Sequence, residues 1–363
     1  MTGRVDQLKA DFAGAHRLAH QAQTQEALSR AELSLALGES LAARADLARA
    51  LRALALSAYA AQAKPIRLRR RNRLSRGFDK ILSRLGWAGQ TLITWRSGLL
   101  GGMRAPLFDA AAYRQANPDV AASRIMPLAH YLVTGGREGR APHPLFDETH
   151  YRAANAEALA ASGLTSLEHY ARAGAVMGLS PHPLFDPAHY LAQGPLLAPG
   201  EDPLSHYLRQ GWRDRLSPHV LFDPAWYRRQ SEAPVEGPPL LHYLTQGWRE
   251  RRAPHPLFDP SWYLDQDPGL VAAGVEPLTH FLNFGGAEGR DPSPWFNTLH
   301  YRLVRGAGLA AGANPLIDYL QGGAWAVGEA RPDLPTAAYL ARWPSLARRG
   351  VTPLEHWAGR LAR

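Results

Sequence analysis

The chain of 363 residues contains no cysteine. That excludes disulfides, thiolate zinc sites and cysteine nucleophiles. Long hydrophobic runs are missing as well. No stretch of about 18 uncharged apolar residues occurs, so no segment reads as a membrane span. The first residues, MTGRVDQLKAD, carry charge where a secretory leader carries an apolar run, and a cytoplasmic address is the expectation. Strand signals are scarce, since no alternating Val/Ile/Thr run stands out. Catalytic signatures are missing too: there is no G-x-S-x-G, no P-loop, no G-x-G-x-x-G after a strand and no His-Glu-x-x-His. An enzyme is not expected.

Proline is absent from residues 1–62, which are rich in Ala, Leu, Glu, Gln and Arg. These are strong helix formers. Leu8, Phe12, Ala15 and Ala19 recur at helical spacing, as do Leu33, Leu37 and Leu41, then Leu47, Leu51 and Leu54. Gly38 and Ser40 suit a break and a new helix cap. The pattern predicts one long helix or a helical hairpin with a thin apolar seam. Such a helix either rests on the rest of the protein or joins copies of the chain into a homo-oligomer through 1–62.

Acidic residues are almost missing from the next region, 63–105. Lys64, Arg67, Arg69, Arg70, Arg71, Arg73, Arg76, Lys80, Arg84, Arg96 and Arg104 stand against Asp79 alone, while the whole chain carries only +9. The high pI therefore belongs to one short segment. Helical periodicity puts Phe78, Ile81, Leu82 and Leu85 on one face, with Lys80 and Arg84 turned away and Trp87 and Trp95 following. A basic flank, an apolar face and tryptophans suit a helix lying at an anionic membrane surface. Nucleic acid is the rival partner, since RLRRRNR would meet phosphates and tryptophan stacks on bases. The large remainder of the chain is near neutral, which favours the membrane.

What the chain has in abundance is repetition. Residues 106–363 align on the aromatic of LFD: Phe108, Phe146, Phe185, Phe222, Phe258 and Phe296, with Leu334 as a worn seventh. Five residues on comes a tyrosine: Tyr113, Tyr151, Tyr190, Tyr227, Tyr263, Tyr301 and Tyr339. A second anchor, PLxHY, supplies His130, His169, His206, His242 and His280, then Asp318 and His356. From this anchor to the next LFD aromatic is always 16 residues, whereas the reverse stretch varies from 20 to 23. Length changes are thus confined to one loop per unit. Asp109, Asp147, Asp186, Asp223 and Asp259 suit helix N-caps, several with proline next. The second helix runs from the proline of PLxHY to a glycine just past its end. The predicted fold is all-α: about seven short helix pairs of ~38 residues stacked like a solenoid, preceded by the N-terminal helical segment.

Thirteen of the 15 histidines lie in this array. They form three columns: the HY column, the PHP column (His143, His182, His219, His255) and one before the tyrosine (His150, His189, His300). Equivalent residues of stacked helix pairs sit roughly 8–10 Å apart, too far to share a metal. Neither a metal nor a cofactor is expected, and the HY histidines read as structural, with the Asp of LFD one partner to consider. Arg137 and Arg140 are candidate partner contacts. Trp212, Trp226, Trp248, Trp262, Trp295 and Trp325 would stack on sugar rings if they lined one face; of these Trp212, Trp248 and Trp325 lie near the glycine ends of second helices.

The unit LFDxxxYxxxNPDVAA…PLxHYLxxGxxEGRxPHPLFD resembles a repeat found in bacterial proteins beside glycosyltransferase domains, in surface-polysaccharide clusters that include rhamnan-synthesis-like proteins. The resemblance covers residues 106 to about 357 and is clearest in FDAAAYRQANPDVAA, GGREGRAPHPLFD and FDPSWYLDQDPGLVAAGVEPLTHFLNFGGAEGR. It implies an accessory or docking role near envelope-glycan synthesis. The resulting expectation is a noncatalytic scaffold that docks on the inner membrane surface and binds a protein partner, with glycan binding or nucleic-acid binding as alternatives.

Overall fold

The computed structural model describes residues 43, 45–63, 79–83, 86–97, 99, 106–230, 235–326 and 329–361. Expectations resting on residues 1–42 and on Lys64, Arg67, Arg69, Arg70, Arg71, Arg73, Arg76, Phe78, Arg84 and Leu85 lie outside these. The fold is all-α; among the described residues extended pairing is limited to isolated bridges inside the joints.

Each unit opens with a helix of about two turns, from Ala110–Ala116 in the first to Thr336–Arg342 in the seventh. The chain enters it as the sequence predicts. Asp109, Asp147, Asp186, Asp223 and Asp259 hold extended backbone, and their carboxylates accept N–H bonds from the first turn. Asn297 caps the sixth unit in the same way. Each cap contributes about 1 kcal/mol.

The second helix differs from expectation. Pro127–His130 is a single α turn, and Tyr131–Gly135 that follows is a π turn. The same change occurs in the next five units, ending at Gly174, Gly211, Gly247, Gly285 and Gly323. These glycines are not left-handed C-caps, for their φ angles are not positive. Their role is steric. A Cβ at any of the six would lie only 1.8–2.1 Å from the hydroxyl of the first-helix tyrosine. The tyrosine enters where a side chain would stand. A left-handed residue does appear four positions later, at Gly139, Gly178, Gly289 and, without glycine, at Arg215 and Arg251.

The loop of variable length also holds more than predicted. Four units carry a third short α-helix there, Pro118–Ala121, Ala156–Ser162, Pro268–Ala272 and Ser345–Arg349, and the sixth a 3-10 turn, Gly306–Gly308. Among the described residues the third and fourth units, whose loops are the shortest, have none.

Units stack through two repeated links. The first joins one inter-unit joint to the next. The N–H of Asp109 donates to the Pro142 carbonyl (3.0 Å), and Asp147, Asp186, Asp223 and Asp259 repeat the bond to Pro181, Pro218, Pro254 and Pro292. The second link is aromatic. The tyrosine of PLxHY is fully buried, and its hydroxyl reaches the start of the following unit's second helix. Leu167, Leu240 and Leu354 donate their N–H groups to Tyr131, Tyr207 and Tyr319 at 3.2–3.3 Å. Within each of the first six units the two rings meet edge to face, with centroids 5.7–6.1 Å apart from Tyr113–Tyr131 through Tyr301–Tyr319. This is the favoured aromatic geometry. One apolar core runs through the units, with a small separate cluster around Leu340 and Leu346 in the seventh, because no unit closes without its neighbours.

The N-terminal helix over 45–62 lies across the array. Ala45 packs at Gly322 in the sixth unit, Leu56 at Gly178 after the second, and the Tyr59 hydroxyl donates to the Glu201 carbonyl. Ala45 and Leu56 are only about 16 Å apart along a helix. Four units in a straight stack would span roughly 32–40 Å, so the array winds toward this helix. The winding also sets His255, before the fifth unit, 3.6 Å from Glu355 in the seventh. A second helix, Gly86–Ser97, covers the first unit; its Gln90 side chain accepts the Met126 N–H at 2.8 Å, and Ile93 and Leu99 are buried.

Gly211→Ala should break the Tyr190–His206 contact, because the new methyl cannot coexist with the Tyr190 hydroxyl. A loss of about 2–4 kcal/mol in denaturant unfolding is expected. Gly359→Ala, which has open space around it, should be neutral or slightly stabilising. Equal effects of the two would contradict this account of the repeated glycine.

Candidate functional site

The HY histidines bond within the fold, and their partner is the first-helix tyrosine rather than the aspartate of LFD. Their Nδ1 atoms meet the first-helix tyrosines: Tyr113–His130 at 2.9 Å, Tyr151–His169 at 2.8 Å, Tyr190–His206 at 2.6 Å, Tyr227–His242 at 2.7 Å, Tyr263–His280 at 2.8 Å and Tyr339–His356 at 2.8 Å. The aspartate carboxylates are occupied as caps. The sixth unit discloses the direction of the bond. Asp318 stands for histidine and its carboxylate accepts from the Tyr301 hydroxyl at 2.6 Å. A carboxylate accepts only, so tyrosine is the donor there, and by equivalence it donates to neutral histidine elsewhere. Arg305 balances the extra charge at 2.8 Å from Asp318. Burial lowers the pKa of His130, His169, His206, His242 and His280, and raises that of their tyrosines.

The PHP column is deeper. His143, His182, His219 and His255 are all buried, and each Nδ1 accepts the N–H of the leucine two residues on, at 2.9–3.2 Å. That bond shapes the tight turn leading into LFD. With Nδ1 accepting, the neutral ring carries its proton on Nε2. Burial pushes His143 and His182 down to about 4 and His219 to about 3. In the third column His189 Nε2 meets the Ser217 hydroxyl at 3.2 Å. Among the described residues no three His, Asp or Glu side chains converge as metal ligands.

Several polar residues of the units also bond within the scaffold. Arg140 is half-buried and ties Asn117, Asp119 and Glu138 at 2.8–3.0 Å. Arg137 bonds the Val133 carbonyl. Asp265-Gln266-Asp267 has the letters of a nucleotide-sugar motif, but Asp265 pairs with Arg251 at 3.2 Å, while Asp267 caps Gly269 and pairs with Arg290.

The tryptophans of the array do not form one platform. Trp248 is 7 % exposed and belongs to the core, whereas Trp262 is 42 % exposed. Trp212, Trp226, Trp295 and Trp325 are half-buried. Arg213 lies over the Trp212 ring at 4.3 Å and Arg249 over Trp248 at 4.4 Å, so guanidinium groups already occupy those faces.

Outside the array the residues part company. Leu82 is buried in the core, while its neighbour Ile81 and Lys80 are exposed. The expected shared face of Ile81 and Leu82 is therefore split, because adjacent helical residues point about 100° apart. Helix Gly86–Ser97 turns Gln90, Thr94 and Ser97 inward with Ile93, and leaves Trp87 and Trp95 75 % and 72 % exposed. A helix that resolves its polar side toward protein and its largest apolar side chains toward solvent runs against the usual order. On the N-terminal helix Leu47, Leu51 and Leu54 are exposed while the opposite side packs on the array.

Periodicity alone did not mark the glycine–tyrosine contact or the left-handed Arg215 and Arg251. Aligning the units by position does mark the arginines, since other units place glycine there. Comparison with known protein families, curated proteins and solved structures finds no match.

His143, His182 and His219 make stability pH-dependent. Their folded pKa values lie below the unfolded value of about 6.5. The folded chain thus binds fewer protons than the unfolded chain between those limits. Stability is complete above about pH 6.5 and falls as pH drops toward 4, with each such histidine adding up to about 1.4 kcal/mol per pH unit. Glu148 and Glu276, raised by burial, act in the opposite sense. Denaturant midpoints at pH 7.5, 6 and 5 should decline in that order; a flat profile would refute the buried neutral column.

Proposed function

We propose that the chain is a noncatalytic repeat scaffold that lies on an anionic membrane surface and offers its array to a protein partner. The observation that carries this is the inverted helix Gly86–Ser97, which exposes Trp87 and Trp95 and in the sequence follows a run of arginines. Tryptophan is favoured at the boundary of lipid and water, and each Lys or Arg near an anionic leaflet adds about 1 kcal/mol. No helix of the described residues is long and apolar enough to cross a membrane; the attachment in this reading is peripheral, on the inner face. The exposed Leu47, Leu51 and Leu54 follow the spacing of a coiled-coil seam and would serve a second copy of the chain. The repeat's resemblance to units beside glycosyltransferases supports a place in envelope polysaccharide synthesis. The repeated polar residues are spent on hydrogen bonds that hold units together, which supports a scaffold over an enzyme.

Deleting residues 63–105 would also strip Leu82, Ile93 and Leu99 from the core. Substitution on the exposed side is the cleaner test. Trp87→Ser/Trp95→Ser should float with phosphatidylglycerol vesicles about tenfold less than the parent chain, with an unchanged melting temperature. Equal flotation of the two chains refutes the membrane reading. Displacement of the parent chain from vesicles by an oligonucleotide would redirect the basic segment to nucleic acid.

A further inference from the structure

The joint between the third and fourth units carries a charge that no other joint carries. Four equivalent positions can be compared: two and four residues past the end of the π turn, and one and two residues past the first-helix tyrosine of the next unit. Here they are Arg213, Arg215, Arg228 and Arg229. At the following joint they are Arg249, Arg251, Leu264 and Asp265; at the first, Arg137, Gly139, Arg152 and Ala153. The remaining joints hold one arginine or none at these positions.

The following joint is an internal control. Arg251, left-handed at φ 58°, reaches the Ser261 carbonyl and ion-pairs Asp265 fourteen residues on. Arg215 has the same backbone, φ 61°, yet the residue fourteen on is Arg229. The left-handed conformation is disfavoured for a residue with a side chain, because Cβ crowds the following carbonyl oxygen. Contacts within the chain offset this at Arg251, whereas the position fourteen residues on from Arg215 carries no carboxylate. Among the described residues none of the four arginines has an acidic partner. Burial lowers the Arg228 pKa, and the neighbouring Arg215 charge adds to that effect.

The cluster is also positioned. Arg213 and Arg228 lie over the Trp212 ring, at 4.3 and 5.9 Å, and Arg228 donates to the Trp212 carbonyl at 3.0 Å. Arg229 lies over Trp226 at 5.8 Å. Stacking fixes the plane of a guanidinium and leaves donor groups at its edge, although Arg213 also donates to the Arg209 carbonyl. Asp214 stands between Arg213 and Arg215 and accepts from Gln210; four arginines at one joint outnumber it, and their planar forks match an oxyanion that accepts two or more bidentate bonds.

We propose that the joint between the third and fourth units binds a phosphate-bearing ligand through Arg213, Arg215, Arg228 and Arg229. This is independent of the membrane reading, whose residues lie elsewhere. Calorimetric titration with inorganic pyrophosphate at low ionic strength should show binding to the intact chain and to Trp87→Ser/Trp95→Ser alike. Arg229→Asp, which installs the neighbouring joint's carboxylate opposite Arg215, should weaken binding at least tenfold with an equal or higher melting temperature. Should that variant fold poorly, Arg215→Asn keeps a side chain that tolerates the left-handed backbone and removes the charge, with the same loss expected. Arg251→Asn should bind as the parent does. Vesicles carrying phosphatidic acid form a second arm: loss there with Arg229→Asp assigns a lipid headgroup, and loss for pyrophosphate alone assigns a soluble ligand. No pyrophosphate binding beyond a matched chloride control, or undiminished binding by both variants, overturns the proposal.

Discussion

A tyrosine hydroxyl set between a histidine ring and a bare glycine is the constraint on which the array depends. The bond from tyrosine to Nδ1 joins the first helix of each unit to its second. The absence of a Cβ at the glycine is what lets the hydroxyl arrive. In six units the widened π turn occurs where this bond is made, and the second tyrosine, next to the histidine, is thereby aimed edge-on at the first and onward into the following unit. One local contact therefore sets the packing inside a unit and the direction of stacking. The unit that replaces histidine with Asp318 keeps the geometry by keeping an acceptor, and adds Arg305 for charge.

The joints form a second frame. Their buried histidines accept backbone N–H bonds, and the residue that caps each first helix also donates backbone to backbone to the next joint. Strict spacing from the second anchor to the next LFD follows, because an inserted residue would break both bonds. The opposite loop faces no such demand. It gains or loses residues, and a short helix forms in it where there are enough.

A repeated residue in such an array mostly holds the array. What remains for interaction is what departs from the repeat. Three departures stand out: the tryptophan face of Gly86–Ser97, the leucine stripe over 45–62, and the arginines around Trp212. Each leaves unsatisfied what the rest of the chain satisfies, whether apolar surface or charge. The two helices before the array both dock on it with one side and present the other. That arrangement suits a scaffold with several contact surfaces better than one with a single cleft.

Helix class, unit number, the capping aspartates and the confinement of length changes to one loop were all legible as letters, because they depend on residues close in sequence. Asp186 accepts the N–H groups of Ala188 and His189 wherever the unit lies. The basic character of residues 63–105 was legible for the same reason. The partner of His206 was not: Tyr190 is sixteen residues away, and the pair meets only when two helices pack. Nor could periodicity tell that Leu82 turns into the core while Ile81 turns out, since both suit an apolar face until the array covers one of them. The winding that sets Ala45 against the sixth unit and Leu56 against the second is a sum of small rotations between units. No single residue encodes it, and it decides which leucines and tryptophans remain at the surface.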